Sequence, residues 1–133
     1  MIPRPEHDGK DQAIFLRYLK FTYESGVDAL KGVTLEVDRG EYVAVVGGNG
    51  SGKTTLAKHM NGLLRPTSGQ VFVSGADSST MTSAEMSRVV GYAFQNPDHQ
   101  LFCGTVQEEV SFGPGNQGLS EDEVKKRADR AID

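Results

Sequence analysis

The sequence predicts an α/β fold in which a glycine-rich loop joins a buried strand to a helix, with an antiparallel β piece alongside. Three observations carry this. Tyr42-Val43-Ala44-Val45-Val46 reads as a buried strand. Gly47-Gly48-Asn49-Gly50-Ser51-Gly52-Lys53-Thr54 follows directly and matches G-x-x-x-x-G-K-[ST] at every fixed position. From Lys53 onward, Leu56, Met60, Leu63 and Leu64 recur at helical spacing and give one apolar face.

Strand, loop and helix in that order form a phosphate-binding loop, and so a fold of the P-loop NTPase type. Glycines let the backbone curl until successive N–H groups point at one anion. The helix begins at about Lys53, so its unpaired N–H groups and positive dipole end face the same place. Lys53 adds a full charge, expected at the β- and γ-phosphates of a nucleotide. Thr54 offers a hydroxyl to Mg²⁺, a hard cation that prefers oxygen. Charge-assisted bonds of this kind contribute roughly 1.5–3 kcal/mol each. A dinucleotide-binding loop fits less well: Gly48-x-Gly50 begins G-x-G-x-x-G, but Lys53 stands at the sixth place.

Composition narrows the class. The 133 residues suit one domain or part of one, with 37% hydrophobic and 24% charged residues. A net charge of −4 argues against nucleic acid as the partner. The apolar run Val43–Val46 is far short of the roughly 18 residues needed to span a bilayer. No apolar secretory segment follows Met1. Cys103 is the single cysteine and reads as a small structural thiol.

In chain order, residues 1–12 read as a flexible polar lead-in. Ile14 to Tyr23 alternate as a strand with a slip near Leu19. Glu24-Ser25-Gly26 is a turn, and Val33 to Val37 alternate as a second strand. Asp38-Arg39-Gly40 turns into the central strand at 41–46. Gly62 and Pro66 end the helix after the loop. Gln70–Val73 is a short strand, closed by Ser74-Gly75. Thr82-x-x-Glu85 is a capping box for a helix at about 83–88. Val89 to Phe94 reads as another strand. Residues 95–118 are rich in Gly, Pro, Asn and Gln, with a helical turn at Val106–Val110, and such stretches are often functional. Ser120-x-x-Glu123 is a second capping box, for a last helix with Val124, Ala128, Ala131 and Ile132 on one face. That face has nothing after it to cover it, so a truncated domain is expected.

These residues resemble the N-terminal part of an ATP-binding-cassette (ABC) ATPase over about residues 13–133. The loop from Gly47 to Thr55 resembles that family's Walker A sequence. Gly48 stands where many members have Pro. Ala29-Leu30-Lys31-Gly32-Val33-Thr34-Leu35 resembles the family's lead-in strand. Tyr23 stands where the family stacks an aromatic on adenine, with Phe21 as a rival. Gln95, after Ala93-Phe94, matches the Q-loop glutamine.

A narrower resemblance is to the energy-coupling-factor ATPases, which drive uptake of vitamins and of cobalt or nickel. It rests on Phe94-Gln95-Asn96-Pro97-Asp98-His99-Gln100, Thr105-Val106, Phe112-Gly113-Pro114 and Lys58-His59-Met60-Asn61-Gly62-Leu63-Leu64. The signature Leu-Ser-Gly-Gly-Gln, the Walker B strand with its catalytic glutamate and the switch histidine do not occur in these 133 residues.

The resemblance implies ATP and Mg²⁺ as cofactors. ATP would be held by Tyr23, Gly47, Gly48, Asn49, Gly50, Ser51, Gly52, Lys53, Thr54 and Thr55, and Mg²⁺ by Thr54 and Gln95. Lys53 and Gln95 would serve the reaction itself. The partners implied are a second ATPase subunit, closing face to face on two ATP molecules, and transmembrane subunits reached through residues 95–114. The implied location is peripheral, at the cytoplasmic face of the membrane. The chain is expected to bind ATP and to hydrolyse it poorly alone. The alternatives are another P-loop enzyme or a non-catalytic nucleotide-binding module. A GTPase would carry Asn-Lys-x-Asp and Asp-x-x-Gly, and neither occurs. His59 reads as a packing or surface histidine, since no ligand-spaced partner accompanies it.

Overall fold

The computed structural model describes residues 12–96 and 100–133. Apart from Gln12, the expected lead-in lies outside the described residues, as do Pro97, Asp98 and His99 of the narrower resemblance. Gln12 itself opens the first strand. The chain divides into two compact units, the first ending at Gly91 and the second running Tyr92–Asp133.

The first unit is built on an antiparallel sheet. β1 (Gln12–Thr22) and β2 (Asp28–Asp38) form a hairpin. Its turn is closed by Gly26 N–H to Tyr23 O at 2.8 Å and Tyr23 N–H to Val27 O at 2.9 Å. β3 (Ser68–Val73) pairs with the other edge of β1, and β4 (Ala76–Asp77) follows across the two-residue turn Ser74-Gly75, giving the order β2-β1-β3-β4. Both turn residues have positive φ, 49° and 81°, the turn whose twist suits tight hairpins.

The slip expected near Leu19 is present as a bulge. The β1–β2 register shifts between Leu16 and Leu19, and Tyr18 adopts φ 47°. The extra residue returns both leucines to the core face, where neither is exposed, and turns Tyr18 out to 72% exposure. The bulge also brings β3 close. A Cβ on Gly69, at φ 88°, would run into the carbonyls of Arg17 and Tyr18.

Leu16, Leu19, Leu30, Val71 and Val73 form the core with Leu56 of α1 (Lys53–Met60) and Met86 of α2 (Ser83–Ser87). α2 starts on the expected capping box. Thr82 Oγ1 accepts from Glu85 N–H, and the Glu85 carboxylate accepts from Thr82 N–H at 2.8 Å. A one-turn 3₁₀ helix, Ser78–Thr80, precedes it.

Two expected strands are not formed. Residues 41–48 carry no ladder, and Tyr42, Val43, Val45 and Val46 are all exposed. Residues 89–94 are likewise unpaired. An apolar run of this type is stabilised by a ladder on each edge and cover on each face, and the described residues supply neither. α1 also ends earlier than its apolar spacing predicts. Leu63 lies beyond it and is exposed, because the chain leaves the helix at Asn61 and Gly62, the latter at φ 74°.

In the second unit, α3 (Val106–Asn116) and α4 (Glu121–Ile132) pack together. The expected helical turn at 106–110 is thus an 11-residue helix. Thr105-x-x-Glu108, another capping box, announces its start. Of the expected capping box at Ser120 and Glu123, one half forms, Ser120 accepting from Glu123 N–H at the start of α4. The Glu123 side chain bonds Arg127 at 2.8 Å, one helical turn on. Of the expected apolar face, Ala128 is buried, Val124 is half-buried, and Ala131 and Ile132 are exposed.

The Gly69 contact yields a paired test. Gly69→Ala lowers unfolding free energy by about 2 kcal/mol or more, from left-handed strain and collision with two carbonyls. Gly48→Ala, with negative φ and nothing within 4 Å of the new methyl, stays within about 0.5 kcal/mol of wild type. Urea titration of both variants checks this, and equal losses would refute it.

Candidate functional site

The glycine-rich loop ends in Gly52 at φ 91°, the N-cap of α1, and no side chain caps the helix. The helical ladder begins with Leu56 N–H to Gly52 O at 2.8 Å. The N–H groups of the first turn therefore have no side-chain acceptor, and no acidic residue offsets the dipole there. A Cβ on Gly52 would lie 2.8 Å from Ala29 O and 3.2 Å from Leu30 Cδ2. Glycine thus lets the helix start press against β2.

Lys53 folds back over the loop. Its ammonium donates to Gly47 O and Gly48 O, each at 2.7 Å, and lies 3.4 Å from Ser51 Oγ. Ser51 N–H bonds Gly48 O at 3.3 Å. A Cβ on Gly47 would meet Ser51 Oγ at 2.7 Å, so that glycine keeps the loop narrow. Asn49 and Gly50 form its exposed tip. The Thr54 side chain is exposed, whereas Thr55 is buried with its Oγ1 2.8 Å from the Tyr23 hydroxyl. The structure thus gathers Gly47 to Thr55 and Tyr23 in one neighbourhood. Gln95 belongs to the second unit and is exposed.

Sequence reading missed what surrounds Tyr23. Its ring meets Phe21 edge-on at 4.8 Å, and Phe21 meets His59 edge-on at 4.7 Å. His59 is 1% exposed, with Nδ1 2.7 Å from Thr55 O. A carbonyl only accepts, so Nδ1 donates to it, and Nε2 lies on the far side of the ring. That atom is buried without a hydrogen-bond partner among the described residues, an arrangement that costs about 1–3 kcal/mol. Helical spacing of Thr55 and His59 was the only sequence signal for this contact.

Within the second unit, Leu101, Phe102, Val106 and Phe112 are exposed, and Phe102 and Phe112 stack edge-on at 4.7 Å. The Glu109 carboxylate accepts from Cys103 N–H at 2.8 Å and Phe102 N–H at 3.1 Å. These bonds, the Cys103 one first, hold the acid below its ordinary value. Burial, then Glu109, pushes the half-buried Cys103 thiol up, which suits a structural thiol over a nucleophile. Among the described residues no group of three or more His, Cys, Asp or Glu could hold a metal ion. No helix of the described residues is long and apolar enough to cross a membrane.

Comparison with known proteins places this architecture. The family model described as ABC transporter matches residues 30–133. A putative ABC transporter ATP-binding protein of Caldanaerobacter subterraneus is 49% identical over 92% of this chain and 21% of its own length. The energy-coupling factor transporter ATP-binding protein EcfA of Methanothermobacter thermautotrophicus is 48% identical over 90% of this chain and 39% of its own. Among solved structures, cbiO1 of Clostridium perfringens, part of the ABC transporter complex cbiONQ, superposes with a TM-score of 0.76. It is 38% identical and covers 92% of this chain and 49% of its own. The ATP-binding cassette MJ0796, solved as a dimer bound to ADP and Pi, gives 0.72 at 28% identity, covering 86% and 53%. The chain therefore belongs to the ABC transporter family and has the fold of its ATP-binding cassettes. It spans well under half the length of the two curated relatives.

The Glu109 bonds predict a pH dependence. A carboxyl whose folded value is depressed adds stability that is complete above its unfolded value. That stability is lost as pH falls through the folded one. Amide exchange at Phe102 and Cys103, corrected for intrinsic rates, should accelerate as pH is lowered through and below the ordinary carboxylate range. In Glu109→Ala it should be fast throughout, and unchanged wild-type protection at low pH would refute the assignment.

Proposed function

We propose that this chain is the nucleotide-binding part of an ATP-driven transporter of the energy-coupling-factor type, taking up a small nutrient such as a metal ion or vitamin. The observation that carries the reading is the uncapped start of α1. A helix that begins with no side-chain cap, with a lysine and no acidic residue in its first turn, leaves N–H donors and positive charge there unmatched by a first-turn anion. A polyphosphate is the ligand that matches both.

The residues fit Mg-ATP. The Gly47–Gly52 loop offers backbone donors, and its narrow turn depends on the absence of a Cβ at Gly47 against Ser51 and at Gly52 against β2. Lys53 already reaches across the loop mouth and would turn its ammonium to the β- and γ-phosphates. The exposed Thr54 hydroxyl would hold Mg²⁺, with phosphate oxygens and water completing the shell. The absence of a carboxylate and histidine cage among the described residues accords with that mode. When bound, Mg²⁺ neutralises charge on the phosphates. Gln95 would position water or metal and relay nucleotide state. Tyr23, 39% exposed, would stack on adenine. Phosphoryl transfer needs placement and charge neutralisation more than covalent help. This chain contributes the cradle and expects slow hydrolysis on its own.

The fold of MJ0796, solved as a dimer, supports a second ATPase subunit as partner. The exposed Leu101, Phe102, Val106 and Phe112 support residues 95–114 as the contact to transmembrane subunits. Their charge-poor surface suits an apolar segment of that partner. On this reading the protein sits at the cytoplasmic face of the membrane, held by its partners.

Calorimetry with Mg-ATP tests the reading. Lys53→Ala should weaken binding by at least about 100-fold, the loss of one or two charge-assisted contacts. Retained tight Mg-ATP binding in the variant would overturn the phosphate-clamp assignment. Preference for GTP over ATP would favour a different P-loop enzyme.

A further inference from the structure

The candidate base platform is tied into a closed circuit of four residues. The Tyr23 hydroxyl bonds Thr55 Oγ1, and Tyr23 rests against Phe21. Phe21 rests against His59, and His59 Nδ1 bonds Thr55 O. Two members come from the end of β1 and the turn after it. The other two stand one helical turn apart on α1, directly behind the phosphate loop. A buried imidazole is an unfavourable way to fill this space, because Nε2 is left without a partner among the described residues. Thr55 O gains little from Nδ1, since the α-helix already provides that carbonyl with a backbone donor. What the ring contributes is shape: a flat edge that fixes the tilt of Phe21, and through it Tyr23.

We propose that His59 is a positioning residue for nucleotide-base recognition, holding Tyr23 through Phe21 at the angle at which it stacks on the base. The inference rests on the reading of Tyr23 as the base platform. Base stacking on an aromatic ring is sensitive to tilt, while triphosphate binding by backbone N–H groups is not. His59 therefore governs affinity for the base half of the ligand and leaves the phosphate half untouched. A residue that merely stabilised the fold would weaken both together.

Two substitutions separate ring from donor. His59→Asn keeps a donor beside Thr55 O and removes the ring. His59→Phe keeps an aromatic edge and removes both ring nitrogens. Affinities for Mg-ATP and for magnesium-bound inorganic triphosphate are measured in the full chain. His59→Asn should weaken Mg-ATP about tenfold with triphosphate affinity unchanged, in line with the usual worth of one stacked base. His59→Phe should stay within about threefold of wild type, inside the spread of a shape-conserving core exchange. Combined with Tyr23→Ala, His59→Asn should add nothing to the loss from Tyr23→Ala alone.

Parallel loss of both ligands in His59→Asn would overturn the proposal, as would additive losses in the double variant. A His59→Phe that behaves like His59→Asn would do the same. If wild type binds triphosphate as tightly as Mg-ATP, and Tyr23→Ala changes nothing, the platform reading itself falls. If Tyr23→Ala weakens Mg-ATP and His59→Asn does not, only the role of His59 falls.

Discussion

The constraint on which the first unit depends is the contact between Gly52 and β2. At φ 91°, with room for no side chain against Ala29 O and Leu30, Gly52 sets where α1 begins and how closely it lies on the sheet. Three consequences follow from that one position. Leu56 reaches the core among Leu16, Leu19 and Val71. Thr55 comes within hydrogen-bond range of Tyr23 at the end of β1. The uncapped N–H groups of the first helical turn open at the mouth of the loop. A β-carbon here would push the helix off the strand and separate the glycine-rich loop from the aromatic residues beside it.

Electrostatics explains why the loop has the shape it has. A lysine in the first turn of a helix faces the positive end of the dipole, which is unfavourable. Lys53 is stabilised by two loop carbonyls at 2.7 Å. Those carbonyls face the ammonium across the turn at Asn49-Gly50, which Ser51 N–H closes by bonding Gly48 O. The ammonium is thus held at the loop mouth by neutral acceptors. An incoming anion competes with them through a stronger, charge-assisted bond. The proposed clamp exchanges weak partners for strong ones over a short distance and needs no rearrangement of the sheet.

What was legible in the sequence was local. Thr82 and Glu85 lie three residues apart and cap a helix irrespective of what surrounds it, so the capping box was readable from spacing. The same rule applied to Thr105 and Glu108 identifies the start of α3, a signal that the Gly- and Pro-rich composition around it obscured. The bulge at Tyr18 was visible because alternation breaks there. Tyr42–Val46 failed for the opposite reason. An apolar run records that a segment is suited to burial between neighbours, and a strand forms only where those neighbours supply its hydrogen bonds. Leu63 failed because apolar spacing continues past Gly62, while the helix does not. Family membership survived both misreadings, because it rests on the loop and its flanks.

The circuit through Tyr23 belongs to neither kind of signal. Phe21 and Tyr23 stand on one chain segment and Thr55 and His59 on another, over 30 residues away, and only packing brings them together. Its members differ in kind: two rings that meet edge-on, a hydroxyl pair, and an imidazole with one nitrogen satisfied and one not. The unsatisfied nitrogen is the informative one. Stability alone would favour an apolar ring at this position, since it would remove a buried polar atom and keep the contact with Phe21. The proposed role of the imidazole lies in its edge against Phe21, a contact that an apolar ring of similar size would share. The contact between α1 and the aromatic pair thus runs through His59 as well as through Thr55.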